Sequence, residues 1–576
     1  MMTNLLLALI LLLSFSCRKA GVDEGTNSIR VGLTSEISTI DPALSYDGVS
    51  AEIVYQLYET LYEYDYLKRP YSLKPLLAED MPVVENGGTK YTIKLKKNVF
   101  YHSHPAFAGK KRTMKAQDFI DQFKRLAFIP TASTGWWLLD GKVKGINKFR
   151  ELAGNNMEKL YSLNVEGLKA PDDYTLVIDL EKPYPQLLNG LALAFATPIP
   201  LEVIKYHQNI LAEVDAGTGP FYLVEINLNQ GAKLKKFNDF HPDYYPSKGD
   251  RVSNDLDLLK DANKKLPFLN EVHYSIMKED QTRWLNFLSD KTDWIQLPKD
   301  NYTTAITPQG DLSEELKEKK IQYQVVPTLT YWWLSFNMRD PLLGKNRNLR
   351  AAIAHAINWD KYIQLFTNNV GQKSNSIYPP GIPGYNPSKV LPYDYNIEKA
   401  KEFLKQAGFP AGKGLQIFKF DIRGTSTLQR QQAEFIQKEL DAIGIKLEII
   451  INTFPSFLKK SRGGELQFWQ GGWITDYPDA ENILQLLISK NHSPGPNNSF
   501  YSNPKVDILF EKLKVMNDGA EKFEIMDEIE KQVTNDIPWV MQYYARNYML
   551  YHSRLKNFRH SDIIFNYYKY LKVSDI

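Results

Sequence analysis

Two hydrophobic periods alternate along almost the whole chain. Ile29-Arg30-Val31-Gly32-Leu33 and Lys90 to Lys96 repeat every second residue, the latter with Tyr91, Ile93 and Leu95 on one face. This predicts half-buried strands. Tyr174 to Leu180, Glu271 to Met277, Thr330 to Asn337, Ile445 to Ile451 and Trp539 to Leu550 read as further strands, and Gly217 to Leu223 as a turn entering one. Helical spacing runs through Ala51 to Leu61, Gln281 to Ser289, Leu349 to Phe366, Lys399 to Gln406, Leu428 to Ile443, Lys505 to Met516 and Glu521 to Val533. Another helix begins near Thr113, a plausible N-cap, and continues its apolar face through Phe119, Phe123 and Leu126. Strands interleaved with helices predict an α/β architecture. At 576 residues the chain needs more than one core.

One stretch breaks the periodicity with its own chemistry. Phe468-Trp469-Gln470-Gly471-Gly472-Trp473-Ile474-Thr475-Asp476-Tyr477-Pro478-Asp479 sets two glycines and a carboxylate among aromatics. Glycines permit close backbone approach. Trp and Tyr supply stiff apolar walls with a polar handle. A carboxylate between such walls is poorly solvated and recruits a cation or a hydrogen-bond donor. The same residues also fit a plainer structure: a strand, a tight turn and a helix whose N-cap is Asp476 or Asp479.

The N-terminus is different again. Leu5 to Leu13 is an unbroken apolar run of nine residues, followed by Ser14-Phe15-Ser16 and Cys17, the only cysteine. A bilayer span needs about 20 residues, so this run is too short to cross. It reads as a secretory signal, and it resembles the bacterial lipoprotein signal in which the cysteine becomes the lipidated N-terminus. Met1-Met2-Thr3-Asn4 lacks the usual basic residue, and Ser14 stands where an aliphatic residue is usual. Residues 1–16 are therefore expected to be a signal peptide and residues 17–27 a polar tether. The protein is expected to be exported and anchored by lipid through Cys17, with no cysteine left for disulfide chemistry.

Composition narrows the chemistry. A net charge of +3 without any Lys/Arg run argues against a nucleic-acid partner. No Gly-x-Ser-x-Gly elbow occurs. Gly408-Phe409-Pro410-Ala411-Gly412-Lys413 falls one residue short of a phosphate-binding loop and is followed by Gly414, so it reads as a helix C-cap and loop. His102-Ser103-His104 is the only close histidine pair, without a carboxylate or third histidine nearby in sequence, and reads as a polar loop. Neither an enzyme, a metal site nor a cofactor is expected.

Five segments together resemble one family in order. They are Gln56-Leu57-Tyr58-Glu59-Thr60-Leu61; the block from Tyr91 to Phe119; Gly217-Thr218-Gly219-Pro220-Phe221; Leu334-Ser335-Phe336-Asn337 with Leu349 to Asn358; and Trp473-Ile474-Thr475-Asp476-Tyr477. This order is similar to that of the extracytoplasmic oligopeptide- and dipeptide-binding proteins of ABC importers, solute-binding protein family 5, over roughly residues 28 to 576.

The resemblance implies a two-lobed periplasmic-binding-protein-like fold (class II, cluster C) with an additional domain inserted in the N-terminal lobe. Mapped onto this chain, lobe I takes residues 28–65, 198–329 and 520–576, the inserted domain 66–197, and lobe II 330–519. It implies a monomer that captures short peptides in a closing cleft and passes them to permease subunits in the inner membrane. Other ligands on the same scaffold, such as a sugar or a nickel complex, and a sensor or adhesin without transport, remain alternatives. Asp476 matches the aspartate that pairs with a peptide's α-ammonium. Gly471 and Gly472 would let the ligand backbone approach. Trp333, Trp473 and Phe454 match ligand-facing positions, Trp136 and Trp137 lie in a contributing segment of the inserted domain, and Arg462 is a candidate partner for a ligand carboxylate. Thr330 and Ile474 stand where some relatives carry a disulfide, and Gln470 where some carry arginine.

Overall fold

The computed structural model describes residues 27–45, 47–424, 427–452, 454–493 and 495–574. β1 (Ser28–Leu33) opens the chain. A sheet of its own follows, built from β2 (Val83–Glu85), β3 (Lys90–Lys94), β4 (Leu168–Asp172) and β5 (Thr175–Asp179) in the antiparallel order β2-β3-β5-β4. β6 (Phe221–Asn227), β7 (Gly231–Lys236) and β8 (Glu271–Ile276) then complete a second sheet with β1, in the order β1-β8-β7-β6 and with β1 parallel to β8. The largest sheet takes β9 (Trp294–Gln296), β10 (Ile321–Phe336), β11 (Phe418–Ile422), β12 (Leu447–Ile451), β13 (Phe468–Ile474) and β14 (Trp539–His552). Its order is β9-β14-β10-β13-β11-β12, with residues 372–373 paired to the side of β14.

Helices pack against sheets around two main cores, an α/β arrangement of the kind the resemblance implies. One core gathers Ile29, Val31, Phe119, Ile178 and Phe221. A second gathers Leu334, Phe336, Ile353, Phe420 and Ile436. β10 and β14 contribute side chains to both cores; their pairing is regular from Ile321 to Pro327, then shifts register between Pro327 and Tyr331 and again before Trp333. Such irregularities bend strands locally. They fall where the sheet passes from one core to the other.

Most predicted elements form, and the departures have physical causes. α1 (Gly48–Leu57) is capped by Asp47, whose carboxylate accepts from the Ser50 amide at 2.8 Å. It ends at Leu57 rather than Leu61 because the Gly217–Gly219 turn docks on its last carbonyls. The Gly219 amide donates to the Leu57 carbonyl at 2.9 Å, and a Cβ on Gly217 would lie 1.7 Å from that oxygen. Glu59 then binds His241 at 2.9 Å and the Thr218 hydroxyl at 3.1 Å. Two of the five sequence landmarks thus form a single structural joint.

α2 (Ala116–Ala127) starts after Lys115, whose amide donates to Asp118 at 2.8 Å, so Thr113 is not its cap. Phe119, Phe123 and Leu126 are fully buried as expected. The helix expected from Leu349 to Phe366 is two helices, α3 (Arg347–Ala356) and α4 (Trp359–Thr367). Ile357 is extended, and Asn358 caps α4 by accepting from the Lys361 amide at 2.9 Å. α5 (Ala480–Leu484) and the long α6 (Ala520–Asp536) follow β13. Among the described residues no helix is long and apolar enough to cross a membrane. Cys17 and the expected signal segment lie outside the described residues.

Candidate functional site

The site is built on β13 and the turn behind it. β13 pairs with β10 along its whole length, with Trp333 opposite Gly471, Trp332 opposite Gly472 and Thr330 opposite Ile474. On its other side it pairs with β11 only at Phe468 and Trp469. From residue 470 to 474 that edge has no strand partner among the described residues.

The two glycines have a packing reason within the protein itself. A Cβ on Gly471 would come within 2.5 Å of the Trp333 indole, and one on Gly472 within 2.5 Å of the Trp332 indole. Their missing side chains are filled by the protein's own tryptophans, one on each face of the sheet. Trp333 itself is buried in a stack, 4.3 Å from Trp539 and 5.3 Å from Tyr331 between ring centroids. Its Nε1 has no partner among the described residues. Gln470, where arginine was the alternative, donates to Tyr362 at 3.2 Å and to Gln542 at 3.0 Å.

Asp476 and Asp479 divide the tasks that the sequence left open. Asp479 is the cap of α5: it accepts from the Glu481 amide at 2.8 Å and pairs with Lys522 at 2.7 Å. Asp476 is held differently. Its amide donates to Asn482 Oδ1 at 3.2 Å, and Asn482 Nδ2 donates to its Oδ2 at 3.0 Å. Trp473 Nε1 donates to the same Asn482 Oδ1 at 3.0 Å, which ties indole and carboxylate to one amide. Thr475 anchors the turn by donating from both its amide and hydroxyl to the Leu329 carbonyl.

Residues from the 116–190 region close over this turn. The Tyr477 hydroxyl donates to Glu481 at 2.5 Å, and the Tyr184 hydroxyl bonds to Tyr477. Burial raises the Glu481 pKa, Tyr477 opposing. Burial also raises the Tyr184 pKa, and Glu481, Asp479 and Asp476 add to it. Lys142 Nζ donates to the Trp137 carbonyl at 2.6 Å and lies 5.0 Å from the Tyr184 ring centroid. Burial lowers the Lys142 pKa, with Glu481 opposing. Trp136 instead lies under Arg150, at 4.8 Å. The structure therefore brings Asp476, Trp473 and the Trp137 segment to one place.

Besides Asn482, two residues of this region escaped sequence reading. Arg423 follows β11 where β13 loses its partner, with Cζ 4.2 Å from the Trp332 ring centroid. Burial lowers its pKa, and no carboxylate among the described residues pairs with it. Gln186 is buried with neither amide atom partnered among the described residues. No sequence signal marked it. The side chains of Phe454 and Arg462 lie outside the described residues.

The histidine pair lies in a loop, as expected, but a buried one. His102 is buried with Nδ1 2.7 Å from Asp215, and His104 Nε2 lies 3.0 Å from His207 Nε2. The carboxylate and third histidine missing nearby in sequence come from about 100 residues away. Among the described residues no group of three or more His, Cys, Asp or Glu side chains is placed to hold a metal ion.

The fold thus holds the Asp476 carboxylate beside a strand edge that, from residue 470 to 474, has no strand partner among the described residues. Residues 72–495 match the family model of bacterial extracellular solute-binding proteins, family 5 (middle region), and the chain belongs to that family. It is similar to a dipeptide-binding protein of Escherichia coli, 24% identical over 475 residues that cover 81% of this chain and 79% of that one. A heme-binding protein A of Haemophilus influenzae is 24% identical over 518 residues, covering 87% and 84%. A solved periplasmic binding protein from Helicobacter pylori, in complex with the peptide STSA, superposes with a TM-score of 0.69 at 26% identity, covering 96% of this chain and 99% of that one.

Proposed function

We propose that this chain captures short peptides between its lobes and delivers them to the permease of an ABC transporter, held at the membrane by a lipid on Cys17. The observation that carries this reading is the setting of Asp476: a half-buried carboxylate, oriented by Asn482, at the end of the unpaired Gln470–Ile474 edge. A peptide ammonium against it would make a charge-assisted hydrogen bond screened from water. The edge would take the peptide backbone, while Trp473, Tyr184 and the Trp137 segment wall the ammonium end. Arg423 supplies a cation near the start of the same edge, suited to a ligand carboxylate.

In this reading residues 28–65, 198–329 and 520–576 act as lobe I, residues 66–197 as the inserted domain and residues 330–519 as lobe II. Closure would bend the chain where β10 and β14 shift register. The protein works as a monomer without catalysis. The likeness to a heme-binding relative supports a second reading, a non-peptide solute on the same scaffold.

Ligand identification separates the two. Protein purified without residues 1–16 and then denatured should release short peptides with free amino termini, read by mass spectrometry. Release of a porphyrin or another non-peptide solute, with no peptide, would overturn the peptide reading.

A further inference from the structure

We infer that Asn482 is a positioning residue for the anchor, setting the carboxylate of Asp476 and the indole of Trp473 without touching the ligand. The inference rests on the peptide-anchor reading and adds a residue to it. Asn482 is 1% exposed and spends both ends of its amide on this turn. Nδ2 donates to Asp476 Oδ2, while Oδ1 accepts from the Asp476 amide and the Trp473 indole. Its place is fixed from below: it lies in the first turn of α5, whose cap Asp479 is held by the buried Lys522.

The chemistry follows from the donor and acceptor inventory. An amide fixed by two N–H donors on its oxygen must present its NH2 to the carboxylate. That bond restricts the rotamer of the Asp476 carboxylate. It also ties the wall of the site, Trp473, to the charge that the wall encloses. A site held in this way binds with less ordering of its own groups.

Two substitutions separate positioning from folding. Asn482→Asp keeps the oxygen that Trp473 and the Asp476 amide use, and replaces only the donor to the carboxylate. Two carboxylates about 3 Å apart share a proton, so their apparent pKa values split and one rises. Asn482→Leu removes all three bonds at similar volume. The probe is a random tripeptide pool, free or N-acetylated at the amino terminus, with retention measured by equilibrium dialysis and mass spectrometry.

Asn482→Leu should lower retention of the free-amine pool by roughly 10-fold and leave the acetylated pool unchanged, an effect of the size that orienting partners exert. Asn482→Asp should move the pH midpoint of free-amine retention upward. The Trp473 contribution to fluorescence, taken as the difference from Trp473→Phe, should shift in Asn482→Leu and stay in Asn482→Asp. Equal loss for both pools, or a parental pH midpoint in Asn482→Asp, would overturn the inference. Asp476→Asn run in parallel tells the two levels apart. If Asp476→Asn lowers retention of both pools equally or of neither, the anchor reading itself falls; if it lowers only the free-amine pool while both Asn482 variants behave as the parent, only the positioning role falls.

Discussion

Lys522 reaches across from the long C-terminal helix to Asp479 at 2.7 Å, with both side chains buried. Asp518 holds the same ammonium at 2.9 Å. Burial works against the charge of Lys522, but Asp479 and Asp518 outweigh it and raise its pKa. The pair pins the turn that carries Asp476 to α6.

Breaking that pair should cost folding stability. Lys522→Met leaves the Asp479 carboxylate buried without its cation, a change of about 3–5 kcal/mol for such pairs. Urea unfolding should report a lower midpoint with an unchanged slope. A midpoint equal to the parent's would contradict the role given to the pair.

The joint between α1 and the Gly217–Gly219 turn makes a sharper steric prediction. Gly217→Ala places a Cβ 1.7 Å from the Leu57 carbonyl oxygen, so backbone must move. The expected loss is about 3 kcal/mol, at the upper end for overpacking. Gly48→Ala, in the first turn of α1 with nothing within 4 Å of its Cβ, is the control and should lose nothing. Equal thermal midpoints for the two variants would refute the close-approach argument.

The same joint marks the limit of what the chain discloses by itself. Period-two and helical patterns located β1, β3, α2 and β14 within a few residues, because burial of alternate or every third-to-fourth residue is a local property. The end of α1 depended instead on glycines about 160 residues away. The split between α3 and α4 was visible only in part, as Asn358, a good cap set inside an apolar stripe. Gly471 and Gly472 also pack against Trp332 and Trp333 on the neighbouring strand, a pairing no window of sequence contains. Asp476 could be singled out only with the other landmarks in order. Asn482, Arg423 and Gln186 needed the fold.

Glu52 predicts a pH dependence of stability. Burial raises its pKa to about 7, with Tyr568 and Tyr567 opposing. The folded protein therefore holds this proton more tightly than the unfolded chain does. The stability this contributes is complete below the ordinary carboxylate range and is lost as pH rises toward 7. The loss is on the order of 2–3 kcal/mol. Glu52→Gln should flatten the fall in unfolding free energy between pH 5 and pH 8. An identical fall in parent and variant would contradict it.

Arg423 tests the far end of the ligand. Arg423→Gln should weaken peptides with a free carboxyl terminus by about 2 kcal/mol, the range for a charged hydrogen bond. C-amidated peptides should bind parent and variant alike. Isothermal calorimetry decides this, and equal loss for both peptide forms would remove Arg423 from the site.

The central claim is that Asp476 anchors a peptide ammonium. Calorimetry on the parent and on Asp476→Asn, each titrated with a peptide identified by mass spectrometry and with its N-acetylated form, measures it most directly. The account predicts a loss of about 3–5 kcal/mol for the free-amine peptide and little change for the acetylated one, because only the former leaves a cation unpaired. Equal affinities of parent and variant for both forms would contradict it.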